Sequence, residues 1–559
     1  MTGGTTSQLE LYSMAAMGSP TELSQNLWGK VPSSYQVLKN MVINQQKSVN
    51  FDKYLDNIEE LRRIVINRHK SMGTLTFEVQ EALNRLDQGF LDVGHQPLML
   101  GGPSFLANKI SLSSWLGDLL GIGTFFYIGD HDAIQNELTI ARVPQAKSPT
   151  GLVLTPSSWG VPEDTPMHKV PAPHLSWLEE IEHKIHENLR ELMKMAMVRP
   201  DLRLLLLERF YQWYHLMFES GISAENFSHW TELIWSKLFN IQNRLDIFIC
   251  PSSDLKFRTL ILPGFEFLIQ ETNRLQYIDT LNQIHDSLIS QSISPGLPVR
   301  ASDYVPFFLE CLQCLHKTRV ELHVVTPGTL EGQCPACEEN YGFSYNPDHP
   351  DLSEMASHIT PRSDSRAMVN SLIFPLLVHV GGSGEVQYYS AVVPAMKRLK
   401  FDLIPITIRS NRIYYNSPWA EKSAIENKTP LLEEQTYVIF DQFNNSTDES
   451  SLQESLYQMQ GLLKSKFIDE TSRLDEMKSG LENHPQDQQL RQQVRRSELM
   501  LSLNYGRFTP EKSAQETSWN WLDLAVLTGT HRLCDAFMRQ LKPQAFPGHT
   551  WYINPGRFS

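Results

Sequence analysis

Apolar residues change their spacing several times along this chain. Between residues 51 and 70, in "FDKYLDNIEELRRIVINRHK", they recur every three or four positions, which predicts an amphipathic helix. From 91 to 142 the pattern changes to short apolar runs separated by glycines, and residues 125–128 read as a buried strand. A strand, a glycine turn, a helix and another strand in this order predict a βαβ unit with parallel strands.

Later apolar runs predict that the same sheet continues further along the chain. A helical block with apolar residues on one face is predicted at 174–240 and interrupts the sheet. Strands are predicted at 245–250, 259–264, 372–382, 401–410 and 436–443. The predicted fold class is therefore α/β, with a parallel-sheet core interrupted by insertions.

Near the C-terminal end, leucine and methionine residues adopt a heptad-like spacing. They are Leu452, Leu456, Met459, Leu463, Leu474, Met477 and Leu481. The segment "ENHPQD" (482–487) reads as a turn, and 488–503 as another helix. Two polar helices around a proline turn predict an antiparallel coiled-coil arm, which we expect to serve packing or dimerisation rather than catalysis.

Composition and charge narrow the class of protein. The chain has 559 residues, enough for several domains, and its 41% hydrophobic content is typical of a folded protein. A net charge of −14 disfavours broad binding to nucleic acid or to an anionic membrane. No apolar run is long enough to predict a membrane span, and the N-terminus lacks the pattern of a secretory signal, so we expect a cytoplasmic protein.

Four of the six cysteines form two CxxC pairs. The two pairs are separated by residues 315–333. Each pair can bring two sulfurs to one side of a tetrahedral ion, so the spacing predicts a closed, structural zinc site. Four unligated thiols are the alternative, but the polar residues around them argue against it. The predicted ligands are Cys311, Cys314, Cys334 and Cys337.

Three glycine-containing segments follow predicted strands. The carboxyl ends of parallel strands meet at one edge of a sheet, where ligands bind, so we expect the segments to share a crevice. Taken singly, His95 is also explained as a hydrogen-bonded loop residue. The three titratable groups at 130–132 must be solvated, paired with other polar groups or used in binding or catalysis. The segments are Gly94-His95-Gln96, Gly129-Asp130-His131-Asp132 and Gly381-Gly382-Ser383-Gly384-Glu385.

The connection Gly101-Gly102-Pro103-Ser104 leads into a predicted helix that carries Lys109. It is either a tight strand-loop-helix connection or an anion cradle, because glycines let backbone amides approach a ligand and a helix N-terminus favours a phosphate. The chain lacks the Walker A, GxGxxG and GxSxG patterns.

Taken together, these segments resemble the bacillithiol-biosynthesis cysteine-adding enzymes, a family of cysteine ligases. An arm and a helical tail with "SWNWLDLAVLTGTHRLCDAFMRQLKP" are also similar to the family's C-terminus, so the resemblance extends over nearly the whole chain. The motifs that carry it, in the family's order, are "GHQPLMLGGPSFLANK" (94–109), "YIGDHDAIQNE" (127–137), "SRAMVNSLIFPLLVHVGGSGEVQYY" (365–389) and "PITIRS" (405–410).

The resemblance implies a Rossmann-like core related to class I aminoacyl-tRNA synthetases, and a homodimer formed through the arm. It also implies the ATP-dependent joining of cysteine to glucosaminyl-malate, which makes the thiol bacillithiol. The catalytic residues would be His95, Asp130, His131, Asp132 and Arg366, with Arg366 as a carboxylate or phosphate clamp. The nucleotide and substrate walls would contain Gly94, Gln96, Gly101, Gly102, Pro103, Ser104, Lys109, Gly381, Gly382, Gly384 and Glu385.

The chain departs from the family's pattern in ways that leave the acceptor substrate open. His95 stands where the family has a glutamine, and "GGSGE" replaces GGPGE. The four-cysteine insert is similar to that of class I lysyl-tRNA synthetases. Two rival hypotheses are a synthetase-related or tRNA-binding protein, and a non-enzymatic scaffold.

The predicted organisation has seven segments. They are the N-terminal helices with the first half of the core (1–172), a helical insertion (173–244), a continuation of the core (245–305), a zinc-ribbon-like insert (306–345), the second half of the core (346–447), the coiled-coil arm (448–510) and a helical tail (511–559).

Overall fold

The structure is a computed structural model that describes residues 7–145, 148–156, 158–162, 164–196, 198–415, 465, 468–501 and 515–555. The predicted strand at 436–443 lies outside the described residues, as do the heptad positions Leu452, Leu456, Met459 and Leu463.

Helices make up most of the N-terminal third and cover the core. The first seven are α1 (Gln8–Ala16), α2 (Glu22–Trp28), α3 (Tyr35–Ser48), α4 (Leu55–Ser71), α5 (Phe77–Asn84), α6 (Ser104–Leu120) and α7 (Asn136–Thr139). The next seven are α8 (Leu175–Met195), α9 (Pro200–Ser223), α10 (Phe227–Ser236), α11 (Leu255–Ile269), α12 (Glu271–Ser290), α13 (Arg366–Ile373) and α14 (Ser383–Arg398). The last are α15 (468–483), α16 (Gln488–Met500), α17 (Gln515–Ser518), α18 (Leu522–Thr528) and α19 (Leu533–Met538).

In the described part of the chain, the strands form two five-stranded sheets and two short pairs. The central sheet contains β1 (Phe90–His95), β2 (Gly123–Ile128), β5 (Ile247–Pro251), β11 (Leu376–Gly381) and β12 (Ile406–Arg409). The second sheet contains β6 (Tyr304–Glu310), β7 (Arg319–Thr326), β8 (Thr329–Gln333), β9 (Asn340–Ser344) and β10 (Ile359–Pro361). The pairs are β3 (Ala141–Gln145) with β4 (Ser148–Leu154), and β13 (Arg412–Tyr415) with β14 (Thr550–Ile553).

The central sheet is parallel throughout, as the sequence predicts, and its order is β12-β11-β1-β2-β5. Along β2, Phe126 and Ile128 pack into one apolar core, and Phe125 and Tyr127 pack into another on the opposite face. Because helices cover both faces, these strands read as continuous apolar runs rather than as alternating patterns.

The second sheet is antiparallel and contains the two CxxC turns, one after β6 and one after β8. Its strand β10 pairs with β6, although residues 359–361 fall in the segment predicted to belong to the second half of the core. The insert therefore extends beyond the predicted boundary at residue 345.

The prediction of a strand at 259–264 is wrong, because these residues lie within helix α11. Asp254 caps this helix by accepting hydrogen bonds from the amides of Lys256 and Phe257 at 3.0 and 3.1 Å. The buried residues Phe257, Ile261 and Phe265 follow the helical spacing of four. A short apolar run cannot by itself be assigned to a strand or to a helix.

Helices α15 and α16 form an antiparallel hairpin. Lys478 Nζ pairs with Glu498 Oε1 at 3.0 Å across it, and Leu474 and Val494 are buried. Asp487 begins α16 by accepting a hydrogen bond from the amide of Leu490 at 2.9 Å. The described residues thus give a helical hairpin, and its extension as a coiled-coil arm stays a prediction.

The segment 101–104 joins the central sheet to the C-terminal helices. Its three amide donors bind main-chain carbonyls at 3.0–3.1 Å, and Pro103 has no N–H group. Of the two alternatives, these bonds favour the tight strand-loop-helix connection over the anion cradle. The bonds are Gly101 to Leu98, Gly102 to Met99 and Ser104 to Trp519.

We expect Gly101→Ala to lower the free energy of unfolding by about 1–3 kcal/mol. Gly101 has a φ of 75°, and a Cβ there would lie 2.8 Å from Trp521 Nε1. Chemical denaturation measures the change. The matched control is Gly121→Ala, since Gly121 has a φ of 69° but open space around its Cβ position. Equal losses in the two variants would show that the Trp521 contact is unimportant.

Candidate functional site

A cleft of about 650 Å³ opens at the carboxyl ends of the central strands. It is lined by His95 at the end of β1, by Asp132 after β2, by Gly382 after β11 and by Ser410 after β12. The chain runs outward from β1 to β5 and then returns to the other side of β1 with β11 and β12. Such a reversal of strand order is where open parallel sheets bind ligands.

Most of the predicted site residues meet in this cleft, and some do not. Asp130, Lys109, Gly381, Gly101 and Ser104 do not line it, and Gly102 and Pro103 line a smaller adjoining cavity of about 310 Å³. Those that line the cleft are Gly94, His95, Gln96, His131, Asp132, Arg366, Gly382, Gly384 and Glu385.

Glu385 lies in the wall of the cleft and is the centre of a group of charges. Its carboxylate accepts hydrogen bonds from Lys109 Nζ and, at 2.7 Å, from the amide of Gly382, and Arg366 Nη2 lies 3.4 Å away. Burial alone would raise the pKa of Glu385, but the charges of Lys109 and Arg366 outweigh it and lower the pKa to about 2. The carboxylate is therefore ionised at neutral pH.

Lys109 belongs to this support and not to the surface of the cleft. It is fully buried, and its ammonium donates to the carbonyl of Gly94 at 2.9 Å as well as to Glu385. Both contacts are within the protein, so the expected role of Lys109 beside a bound nucleotide is not supported. It holds α6, β1 and α14 together at the point where the strand order reverses.

Gly94 is required for the position of Arg366. A Cβ at residue 94 would lie 2.2 Å from Arg366 Nη1. The guanidinium also lies 5.0 Å from the centre of the Tyr127 ring, at a cation–π distance. Only a glycine on β1 leaves room for this side chain, which is 7% exposed and faces the cleft.

Asp130 was predicted to be catalytic, but the structure places it behind the cleft. Its carboxylate accepts hydrogen bonds from the hydroxyls of Ser228, Ser252 and Ser253 at 2.5–2.8 Å, and from the amide of Ser253 at 2.9 Å. The side chain is fully buried, and both of its carboxylate oxygens accept hydrogen bonds. Asp130 therefore fixes the connection after β2, and a catalytic role for it is not supported.

His131 and Asp132 do reach the cleft. His131 Nδ1 lies 2.7 Å from Ser252 Oγ, and its Nε2 lies 3.7 Å from Asp132 Oδ1. Burial lowers the pKa of His131 to about 4, so the imidazole is neutral at pH 7. Asp132 also accepts a hydrogen bond from Gln96 Nε2 at 3.0 Å. A neutral imidazole beside a carboxylate is an arrangement that can accept a proton.

His95 also lines the cleft as a neutral imidazole. Burial lowers its pKa to about 4, and the charge of Lys109 acts in the same direction. Its Nδ1 lies 3.1 Å from the carbonyl of Gln96. His95 thus has the local hydrogen bond of a loop residue and a position on the cleft wall.

A buried aspartate–histidine pair within the sheet is not predicted from the sequence. Asp92 on β1 and His379 on β11 are both buried, and Asp92 Oδ1 lies 2.5 Å from His379 Nδ1. His379 stacks on Tyr389 with ring centres 3.9 Å apart. An acidic residue and a histidine inside apolar strands are rare enough to have signalled this pair.

Further cleft residues had no signal in the sequence. Arg362, Tyr388, Arg412 and Glu516 line the cleft, and Glu516 comes from a segment that is remote in sequence. Glu516 accepts a hydrogen bond from the amide of Ile413 at 2.8 Å. Only the tertiary structure brings these residues to the cleft.

The four cysteine sulfurs lie within 4.8 Å of one another. In a tetrahedron with Zn–S bonds of about 2.3 Å, the sulfurs are roughly 3.8 Å apart, so the cluster fits such an ion. Backbone amides of the turns point at the sulfurs: Cys314 N to Cys311 Sγ at 3.3 Å, and Thr318 N to Cys314 Sγ at 3.4 Å. The cluster can bind a metal ion such as zinc.

The four-cysteine sheet lies beside the cleft and contacts one of its lining residues. Arg319 follows the first CxxC turn, and its Nη1 lies 3.4 Å from Asp132 Oδ1. Glu310 immediately precedes Cys311 and pairs with Arg258 Nη2 at 2.6 Å. Arg258 Nε in turn donates to the carbonyl of Ser252 at 2.9 Å. Side chains next to the cysteines therefore contact the groups that position Asp132 and His131.

We expect Cys334→Ser to lose bound zinc and to lower the free energy of unfolding, on the order of 2–4 kcal/mol. The variant leaves three thiolates for the ion, and the turns of the second sheet depend on all four. Metal analysis and chemical denaturation measure the two effects. Cys534→Ser is the control. Cys534 is buried outside the four-cysteine cluster, so this variant should keep its bound metal. A folded, fully metal-loaded Cys334→Ser protein would contradict the structural role.

We expect the stability of the protein to fall as the pH drops from about 6.5 to about 4, in part through His131. The unfolded chain binds a proton on this imidazole below pH 6.5, whereas burial lowers its pKa in the folded state to about 4. His131→Gln should make the fall shallower by up to about 1.4 kcal/mol per pH unit. Denaturation at a series of pH values tests this, with exposed His183→Gln as the control.

Comparison with known proteins gives no indication of the function. No protein-family model matches the chain, and no curated protein is significantly similar to it. A search of the described residues finds no helix that is both long enough and apolar enough to cross a membrane. The function proposed below therefore depends on the chemistry of the cleft and on the motifs in the sequence.

Proposed function

We propose that this protein is an enzyme that forms an amide bond, and that it joins cysteine to a glucosaminyl-malate-type acceptor with the use of ATP. The product would be bacillithiol or a related thiol. One observation carries the proposal: a buried arginine, a neutral imidazole and a carboxylate face the same cleft, as Arg366, His131 and Asp132. Its volume also suits small-molecule reactants, whose sites measure roughly 300–1,000 Å³.

The proton balance of amide formation fits His131 and Asp132. An amine that attacks an activated carboxyl group must lose a proton, and a base within reach must accept it. His131 is neutral and has its Nδ1 oriented by Ser252, which leaves Nε2 toward Asp132. The carboxylate of Asp132 would stabilise the imidazolium that forms. Gln96 and Arg319 hold Asp132 from two sides.

The arginines of the cleft fit anionic reactants. Arg366 and Arg362 present guanidinium groups, which bind carboxylates and phosphates through two parallel hydrogen bonds. Arg362 is held by Glu321 at 2.8 Å and lies 4.0 Å from the centre of the Phe308 ring, so it is oriented before a ligand binds. A reactant with a carboxylate suits these side chains.

ATP supplies the leaving group of the reaction, because one carboxyl oxygen of cysteine departs bonded to phosphorus. Segment 101–104 does not suit its phosphates, since the amides there are already hydrogen-bonded. Arg362, Arg366 and Arg412 face the cleft and have the donor chemistry for phosphate oxygens. The protein's own part is to hold these oxygens and to shield the activated carboxyl group from water.

The remaining features fit the same proposal. The strand order has the pattern 3-2-1-4-5 when numbered along the chain, which is that of a doubly wound, Rossmann-like core. The four cysteines would bind structural zinc, with no position left for a reactant. The hairpin of α15 and α16 would belong to an arm that joins two copies of the chain. No nucleic acid or membrane partner is proposed.

A second candidate is a class I synthetase-related enzyme or a tRNA-binding protein. The strand order and the four-cysteine sheet favour it, because both features are typical of that class. The net charge of −14 disfavours it, since tRNA binding requires a basic surface.

The test is to incubate the purified, full-length protein with ATP, cysteine and glucosaminyl-malate and to detect the thiol product by mass spectrometry. We expect product with the natural protein. Asp132→Asn and Arg366→Ala should reduce turnover by about 100-fold or more, because they remove the charge that positions the base or the carboxylate. Asp132→Asn should stay folded by circular dichroism and therefore carries the test, whereas Arg366→Ala also removes a counter-charge of Glu385 and should lower the free energy of unfolding.

The control variant is Lys184→Ala, which changes an exposed residue of α8 remote from the cleft and should keep full activity. Absence of product from the natural protein, together with tRNA-dependent activation of an amino acid, would favour the second candidate. Unchanged turnover in Asp132→Asn would contradict the assigned site.

A further inference from the structure

Arg409 is a buried cation without a carboxylate partner. It ends strand β12, is 7% exposed, and donates to the hydroxyls of Ser13 and Ser383, both at 3.3 Å. Within the part of the chain that the structure describes, no Asp or Glu oxygen forms an ion pair with it. A buried guanidinium whose charge is not neutralised is costly, so its surroundings need explanation.

Those surroundings are positive rather than negative. Ser383 is the first residue of the 16-residue helix α14, whose N-terminus carries a partial positive charge. Burial lowers the pKa of Arg409 to about 10, and the charge of Arg412 acts in the same direction. By contrast, Arg366, which lines the cleft, is paired with Glu385. Arg409 therefore lacks the compensation that Arg366 has.

Glu516 is the carboxyl group that acts on both arginines, but it does not neutralise them. Burial raises the pKa of Glu516 to about 7, so near neutral pH it carries only part of a negative charge. Its Oε2 is also engaged by the amide of Ile413 at 2.8 Å. Glu385 in the first turn of α14 already pairs with Lys109 and Arg366, so the two guanidinium groups face one further, partly ionised carboxyl group among the described residues.

Arg409 itself does not line the cleft, but the residues next to it do. Ser383, Gly384, Ser410 and Arg412 line it, and the space around the Cβ position of Gly384 is empty to 4 Å. Amides in the first turn of a helix have no intrahelical acceptor, and Glu385 takes only that of Gly382. An incoming ligand can therefore reach both main-chain donors and a guanidinium group.

We infer that Arg409, Arg412 and the first turn of α14 form an oxyanion-binding subsite at the β12 edge of the cleft. It would take a phosphate or carboxylate group of a reactant, because guanidinium groups and helix amides both match such oxygens. The inference does not depend on the amide-forming reaction proposed above, since binding alone tests it. The subsite is separate from Arg366, and its two arginines are not among the site residues predicted from the sequence.

A purely structural role for Arg409 and a role in anion binding predict opposite effects of its replacement on stability. If its only task were to join α1 to α14 through Ser13 and Ser383, its loss would destabilise the protein under all conditions. If it is kept for an anion, its replacement by a neutral side chain relieves like-charge repulsion in the empty protein. Only in the second case does the anion stabilise the natural protein and not the variant.

The experiment measures binding to the full-length protein by calorimetry and thermal unfolding, at constant ionic strength. The probes are inorganic phosphate, ATP and L-malate. We expect saturable binding of at least one probe and a rise in melting temperature with its concentration. Arg409→Gln should bind that probe about tenfold or more weakly, and should melt no lower than the natural protein without anion.

Arg398→Gln is the matched control, because Arg398 is exposed in the last turn of the same helix and carries the same charge. It should bind the probe as the natural protein does. If Arg409→Gln does not fold, Arg412→Gln replaces it, since Arg412 is exposed, and binding should weaken several-fold.

Each outcome decides the inference. Binding of phosphate and ATP but not malate identifies a phosphate subsite, and binding of malate alone identifies a carboxylate subsite. Failure of all three probes to bind overturns the inference, as does natural affinity in Arg409→Gln or, if that protein is unfolded, in Arg412→Gln. Anion binding without any thiol product would leave this subsite standing and contradict only the proposed ligation.

Discussion

The structure depends on one half-buried carboxylate, that of Glu385, and on the cations that neutralise it. Lys109 from α6 and Arg366 from α13 both reach Glu385 on α14, and Lys109 also binds the carbonyl of Gly94 on β1. These contacts fix the elements on both sides of the point where the strand order reverses. A buried ion pair tolerates no missing partner, because the remaining charge would be left in a medium of low dielectric constant. The geometry of the cleft follows from this group of charges.

The insertions complete the cleft and are not separate additions to it. The four-cysteine sheet contributes Arg319 to Asp132, and Arg362, which follows β10 of that sheet, to the cleft wall. The C-terminal segment contributes Glu516 beside Arg412. A metal ion bound by the cysteines would therefore influence the position of Asp132, since Arg319 follows the first CxxC turn closely. The binding surface is assembled from segments that are hundreds of residues apart.

The sequence predicted the parallel sheet well where a strand is buried on both faces. The apolar runs at 125–128, 245–250 and 372–382 all contain strands of that sheet, because continuous apolar runs suit strands covered on both faces. The prediction of a strand at 259–264 was wrong, because the apolar residues on one face of a buried helix give a similar local pattern. The structure brings the three glycine segments to one edge, but puts Asp130 behind the cleft. Burial and hydrogen-bond saturation of a side chain have no signature in sequence.

By itself, the sequence determined the α/β class, the parallel strands, the four-cysteine cluster and the positions of the glycine segments. These features follow from local spacing, such as the period of apolar residues and the two CxxC pairs. Only the tertiary structure decided which polar groups are neutralised and which face the cleft. Among the residues that the structure describes, Arg366 has Glu385 as a counter-ion whereas Arg409 has none, although both are buried arginines. The difference arises because the interaction between two charges depends on their distance in space. The order of residues along the chain does not specify that distance.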